Sequence, residues 1–555
     1  MLRQAEEKVE MRKMCVVLGS LVLWMTATLW AAEEKGEEKE KGKEEAAEAA
    51  PEKTPEKEKP PARRKIPITL NVKETSLGAV HPGADLATLT VSQDSRRVAY
   101  AAKADRMISA VILDGQVASK RYNQISEVEI SPDNTRIAYA VQLEDSWFVM
   151  SDKTKGKPYE EVKLLRFSPD SRRLAYAGMR EGKWTVVVDG VEGYGYSQIG
   201  TIVFSPDSKR VAYVAIQVKK SVVTTESRGK KKEEQVYSQK CVVVVDGTPS
   251  KEYDNVVIGT VQFSPDSKHI AYAAQDGKKF FIVMDGEASD KLYDGIGQYN
   301  LLFSPGGSKL AYVARSGWEW TAIVKDKEGE LVGEGYDAIA NASLRFSPNG
   351  KRLGYAAQRE KRWFAVVDDV SAARREQEKE KERQKQKEEV KPLESPGKDE
   401  DLQSTLVKPK AAEEESLGYD YVGPVSFSPD SKRYAYAAVR KKKGLSPTLS
   451  DEEKEKQKVV VVVTDDGEEG PEYGQVEWIC FSPDIKHIAY RALRKNTRNE
   501  WVVVVDGVET TKKYDTFIRG SKLMFDSSTE LHTLACRENE IFLVDVEIVE
   551  GGAVK

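Results

Sequence analysis

One motif recurs along most of the chain and outranks every local signal: a hydrophobic residue, Ser-Pro-Asp-Ser, two polar or basic residues, then hydrophobic-Ala-Tyr. With the first hydrophobic residue as marker, copies begin at Val91, Ile130, Phe167, Phe204, Phe263, Phe303, Phe346, Phe427, Phe481 and Met524. Seven of these ten carry the full Phe-Ser-Pro, which makes the copies one repeat rather than a chance series. Successive markers lie 37 to 43 residues apart except for gaps of 59, 81 and 54, so the unit is near 40 residues and three copies hold insertions. A unit of that length suits one four-stranded propeller blade.

The third copy shows the physical plan. A strand ends at Phe167, Pro169 and Asp170 turn the chain, LAYAG forms a second strand, and TVVVD forms a third after a hairpin. A fourth short strand is expected around Tyr196 to Ile199. Pro presets φ for a turn, Asp bonds back to the backbone, and Asp-Gly after TVVVD is favoured hairpin chemistry. Runs such as VVVVVT at Val459 and VVVVD at Val502 are apolar at every position, so both faces of those strands must be covered. Neighbouring blades supply that cover. The 3.6-residue rhythm of βα units is missing, which argues against a parallel α/β fold.

FSPDSKRVAYVA followed by VVVDG resembles the WD40-like or PD40 repeats of TolB-like proteins and of peptidase propeller domains. The resemblance covers roughly residues 66–548 and implies the fold far more than the function. The fold expected is all-β, a β-propeller of about ten four-stranded blades, closed by pairing a strand near residues 66–72 with the blade begun at Met524. Two smaller rings or an open stack fit the same count.

Before the repeats, Arg12 and Lys13 precede an apolar run over 14–32, the layout of a signal peptide or N-terminal membrane anchor, with Met1 or Met11 as the start. Residues 33–65 are almost all Glu, Lys, Ala and Pro and read as a disordered charged linker. Charged insertions fall at about 217–240, 371–416 and 441–458, the longest with a helical opening, and 549–555 form a C-terminal tail. A net charge of -4 gives no field to steer the protein onto nucleic acid. Cys241, Cys480 and Cys536 fall on or beside strands without metal-ligand spacing.

No motif for a catalytic, metal or cofactor site is found. His269 and His487 replace the basic residue before the second strand and read as surface residues. The Tyr-Asp pairs, Tyr253-Asp254 among them, read as structural residues that start the outer strand. A basic residue precedes the second strand in most copies, so a ring of cations including Arg173, Arg210, Arg352 and Arg433 is a candidate anion-binding site. Its plain alternative is a solubilising charge beside each turn. Aromatics before the third strand, Trp184, Trp320, Trp363 and Trp501, are candidate partner-binding residues, with packing between blades as the structural alternative. The expected function is a non-catalytic protein-binding scaffold of the cell envelope or extracellular space, contacting membrane only through an uncleaved N-terminal segment. A propeller hydrolase or lyase with a central metal or carboxylate site is one alternative, and glycan or cell-wall binding is another.

Overall fold

The computed structural model describes residues 67–551 except 106–107, 153, 228–229, 390–417 and 442–457. The expected signal or anchor, the charged linker, most of the insertions at 371–416 and 441–458, and residues 552–555 lie outside the described residues.

Ten antiparallel sheets form one ring, a ten-bladed β-propeller, which excludes the two-ring and open-stack arrangements. Blade 3 is representative: Glu161–Phe167, Leu174–Arg180, Lys183–Val188 and Val191–Tyr196 pair in chain order from the inside outwards. The fourth strand therefore ends at Tyr196, and Ile199 already belongs to the next inner strand, Gln198–Phe204. First strands of neighbouring blades meet around the axis. Ring closure joins the two ends of the propeller, because Ile68–Ala79 pairs antiparallel with Glu540–Glu550 and becomes the outer strand of blade 10.

The core lies between blades rather than within them. Ten hydrophobic clusters each draw on two neighbours: Ala99, Ala101 and Val111 of blade 1 meet Ile125, Val128 and Tyr139 of blade 2, and so on round to Tyr100 and Ile112 against Leu534 and Ile541 of blade 10. The alanines of hydrophobic-Ala-Tyr are 0% exposed in most blades, which lets sheets approach closely. Each fully buried Val, Ile or Phe there contributes about 1.5–3 kcal/mol relative to an exposed one.

Alternation of strand direction sorts the connections. The Ser-Pro-Asp-Ser turns and the turns after the third strand share one face, called here the joint face; the hairpins between second and third strands and the links to the next blade share the other, the hairpin face. Asp189 and Gly190 have φ of 52° and 81°, the doubly left-handed turn that Asp-Gly is suited to. The insertion at 217–240 extends its hairpin as continuous ladder, Val211–Ser227 against Lys230–Val245. In blade 7 a helix, Val370–Glu389, follows the third strand directly and docks on blade 6 through Val370, Ala373 and Arg374, whose guanidinium pairs with Asp326 at 2.6 Å. The start of that insertion is therefore anchored on the ring, and its helical opening is as the sequence suggests.

Candidate functional site

The repeat motif is a joint between blades. In blade 3, Ser168 donates to Asp170 (2.6 Å) and accepts from the Arg173 amide, while Ser171 adopts φ 64° to close the turn. The Asp170 amide then donates to Ser208 of blade 4 at 2.9 Å. Arg173 bonds Asp189 of its own blade (2.8 Å) and the carbonyls of Ser208 and Lys209 in the next, with its guanidinium 5.6 Å from the Phe204 ring. The same joint recurs where Asp133 meets Ser171, Asp207 meets Ser267 and Asn349 meets Ser431. The Ser hydroxyl, aided by backbone N–H groups, holds the Asp170, Asp207, Asp266 and Asp430 carboxyls below the ordinary range, and Asp133 down to about 2.

This corrects the candidate anion ring. Arg210 bonds Asp246 and the Lys268 carbonyl and lies over Phe263; Arg352 donates to Lys432 O and lies over Tyr434; Arg433, buried, pairs with Asp465 at 3.3 Å and lies over Phe481. Like Arg173, each of these guanidinium groups is engaged by a carboxylate, a carbonyl of the neighbouring turn or an aromatic ring, a structural use of the charge. His487 takes the same place in blade 9 and is 2% exposed beside Asp506, not a surface residue. His269, beside Asp285, is half exposed as expected.

The candidate partner-binding tryptophans are likewise committed to packing. Trp184 and Trp501 are 7% and 5% exposed within interblade clusters, so neither can anchor a partner. Trp320 and Trp363 are half-buried, against Arg315 and Tyr421. The Tyr-Asp pairs end the outer strand instead of starting it: Tyr253 bridges back to Cys241 and packs edge-on against Tyr272 of the next blade, ring centroids 6.0 Å apart. The following aspartate caps the next hairpin, as Asp294 does by accepting from the Gly317 amide at 2.8 Å.

That hairpin carries the residue the repeat pattern concealed. Trp318 stands at its tip and is 93% exposed. In Trp318-Glu319-Trp320 only Trp320 matches the repeat, and this departure was the available signal. Trp318 shares the hairpin face with the extended hairpin of blade 4 and with Lys441 and Lys458, which pair at the base of the eighth-blade insertion.

Around the axis, Glu127 of blade 2 accepts from the amides of Leu164 and Leu165 in blade 3, and burial pushes the half-buried Glu129 carboxyl up to about 7 although Arg166 lies 3.4 Å away. Arg491, buried, bonds Ser521 of blade 10 and Glu477. Among the described residues no three His, Cys, Asp or Glu side chains are placed to hold a metal ion, and no helix is long and apolar enough to cross a membrane.

No protein-family model and no curated protein matches the chain. Solved structures similar to it include a eukaryotic initiation factor (11% identity, 70% of this chain and 87% of that chain, TM-score 0.37) and the β-propeller domain of the Trilobed protease from Pyrococcus furiosus (15%, 51% and 93%, TM-score 0.25). TolB from Acinetobacter baumannii is similar at 15% identity over 51% of this chain and 76% of that one, with a TM-score of 0.23.

Proposed function

We propose that the ring is a non-catalytic protein-binding scaffold that presents its hairpin face to a partner in the cell envelope or extracellular space. Trp318 carries this reading. A tryptophan left 93% exposed on a rigid hairpin exposes a large apolar surface, and such residues serve as interface anchors. The hairpin Val211–Val245 extends from the same face, and a second insertion opens there at Lys441. The repeat's Ser, Asp, Tyr and Arg side chains are engaged in joints, which supports binding over chemistry. The apolar run over 14–32 behind Arg12 and Lys13 supports export.

The test uses the full chain as bait for envelope extract, beside Trp318→Ala and a variant whose residues 219–238 are replaced by an Asn-Gly turn. Species retained by the native chain should be lost from both variants while melting temperature is kept. Equal retention by the variants would contradict the reading.

A further inference from the structure

The inner strands carry a feature that neither the joints nor the hairpin face uses. In the inner strands of blades 3, 6 and 9 the ladder to the second strand shifts register mid-strand, as at a β-bulge. In blades 5 and 10 the residue four before the repeat marker, Gly259 or Gly520, sits at φ 73° or 84°, where glycine is the natural occupant. Blade 6 places Tyr299 at that same position with φ 56°, and blade 9 places Trp478, one residue later, at φ 50°. An aromatic residue in the left-handed region is strained and persists where surroundings or function require it. Neither ring is buried in return: Tyr299 is 55% exposed and Trp478 44%. Because both stand mid-way along innermost strands, the solvent they face is that of the axial channel.

The neighbours of each ring fix it in place. Tyr299 lies across Gly259 of blade 5, where a Cβ would collide with the ring, and its amide donates to Ile258 O at 3.3 Å. Behind Trp478 the Arg491 guanidinium is 6.0 Å from the ring centroid. Gln298 and Asn341 are exposed at one shared position of blades 6 and 7, and Arg519 occupies it in blade 10. Arg345, lower on the inner strand of blade 7, is exposed and donates to the neighbouring Leu344 carbonyl. Among the described residues neither Arg345 nor Arg519 forms an ion pair.

We propose that the axial channel is a binding site for an acidic glycan chain, one whose sugars bear carboxylates. Tyr299 and Trp478 offer flat apolar faces for sugar rings, Gln298 and Asn341 offer neutral donors and acceptors for hydroxyls, and Arg519 and Arg345 offer guanidinium forks for carboxylates. The two aromatic rings stand three blades apart, so a ligand that touches both is an oligomer rather than a single sugar.

The experiment titrates the full chain with an oligogalacturonate octamer, following tryptophan fluorescence and heat, beside a neutral maltooligosaccharide and a polyglutamate of equal charge. Tyr299→Gly and Trp478→Gly are the variants, because glycine fits the left-handed backbone at both positions and the ring of blades should melt no lower than native. The octamer should bind, each variant should weaken it at least tenfold, and Arg519→Gln should reduce its preference over the neutral chain. Absence of octamer binding, unchanged affinity in both glycine variants, or equal affinity for polyglutamate would overturn the proposal.

Discussion

The two faces of the ring use similar residues to opposite ends. On the joint face Ser208 is 2% exposed at φ 66° with its hydroxyl bonded to the preceding blade, and Arg173 bonds two carbonyls of the blade that follows. On the hairpin face Trp318 is 93% exposed, and among the described residues no element covers it. The joint face repeats because ten neighbouring pairs pose one packing problem. The hairpin face varies because each tip needs only an aspartate from the previous blade to hold its backbone, as Asp294 holds Gly317, which leaves the side chains free to differ. In a repeat protein of this kind, periodicity therefore marks what is consumed by assembly, and departures from it mark what is available for binding.

The sharpest way to break that contrast is to remove one side chain from each face. Arg433→Met leaves Asp465 without its cation in a joint where the arginine side chain is 9% exposed. The loss should be about 2 kcal/mol, less than for a fully buried pair because Asp465 retains some exposure. Trp318→Ala should change stability by no more than about 0.5 kcal/mol. Denaturant unfolding of the two variants checks both values, and a reversal of their order would place the structural load on the wrong face.

Acid offers a smaller, graded probe of the joints. Asp133 and its counterparts have folded pKa values below the unfolded carboxyl value, so their contribution is complete above about pH 4 and is lost as pH falls toward about 2. Glu129 acts in the opposite sense: its folded pKa of about 7 lies above the unfolded one, so the stability it adds is full below about pH 4 and is lost as pH rises through 7. Melting temperature should accordingly fall between pH 4 and 2, and Asp133→Asn should flatten that fall, since Asn349 already fills the same place in blade 7.

Much of this is legible in the amino-acid sequence. Nine of the ten marker residues, Val91 to Phe481, close an inner strand while Met524 opens its own, Asp-Gly does form left-handed turns, and a strand after residue 66 pairs with the blade begun at Met524 as expected. What escaped was direction. Spacing alone places Arg173 beside a turn but does not say that its donors reach 35 and 36 residues forward to Ser208 and Lys209. For the same reason the sequence leaves Trp184 and Trp501 open between partner binding and packing between blades, and the neighbouring blade buries them. Trp318 was visible in the sequence yet hidden beside Trp320, which fitted the pattern. Burial in a propeller is set by the next blade, about 40 residues away, and no local window contains it.

Amide hydrogen exchange in Ser208→Ala tests most directly whether the repeat is a joint between blades. The Ser208 hydroxyl accepts from the Asp170 amide of blade 3, not from its own turn, where Ser208 N–H donates to Ser205 O. Exchange at Asp170 should accelerate while the equivalent amides of Asp133 and Asp207 keep their native rates. Native protection at Asp170, with loss confined to blade 4, would show that the motif stabilises its own turn and would contradict the joint.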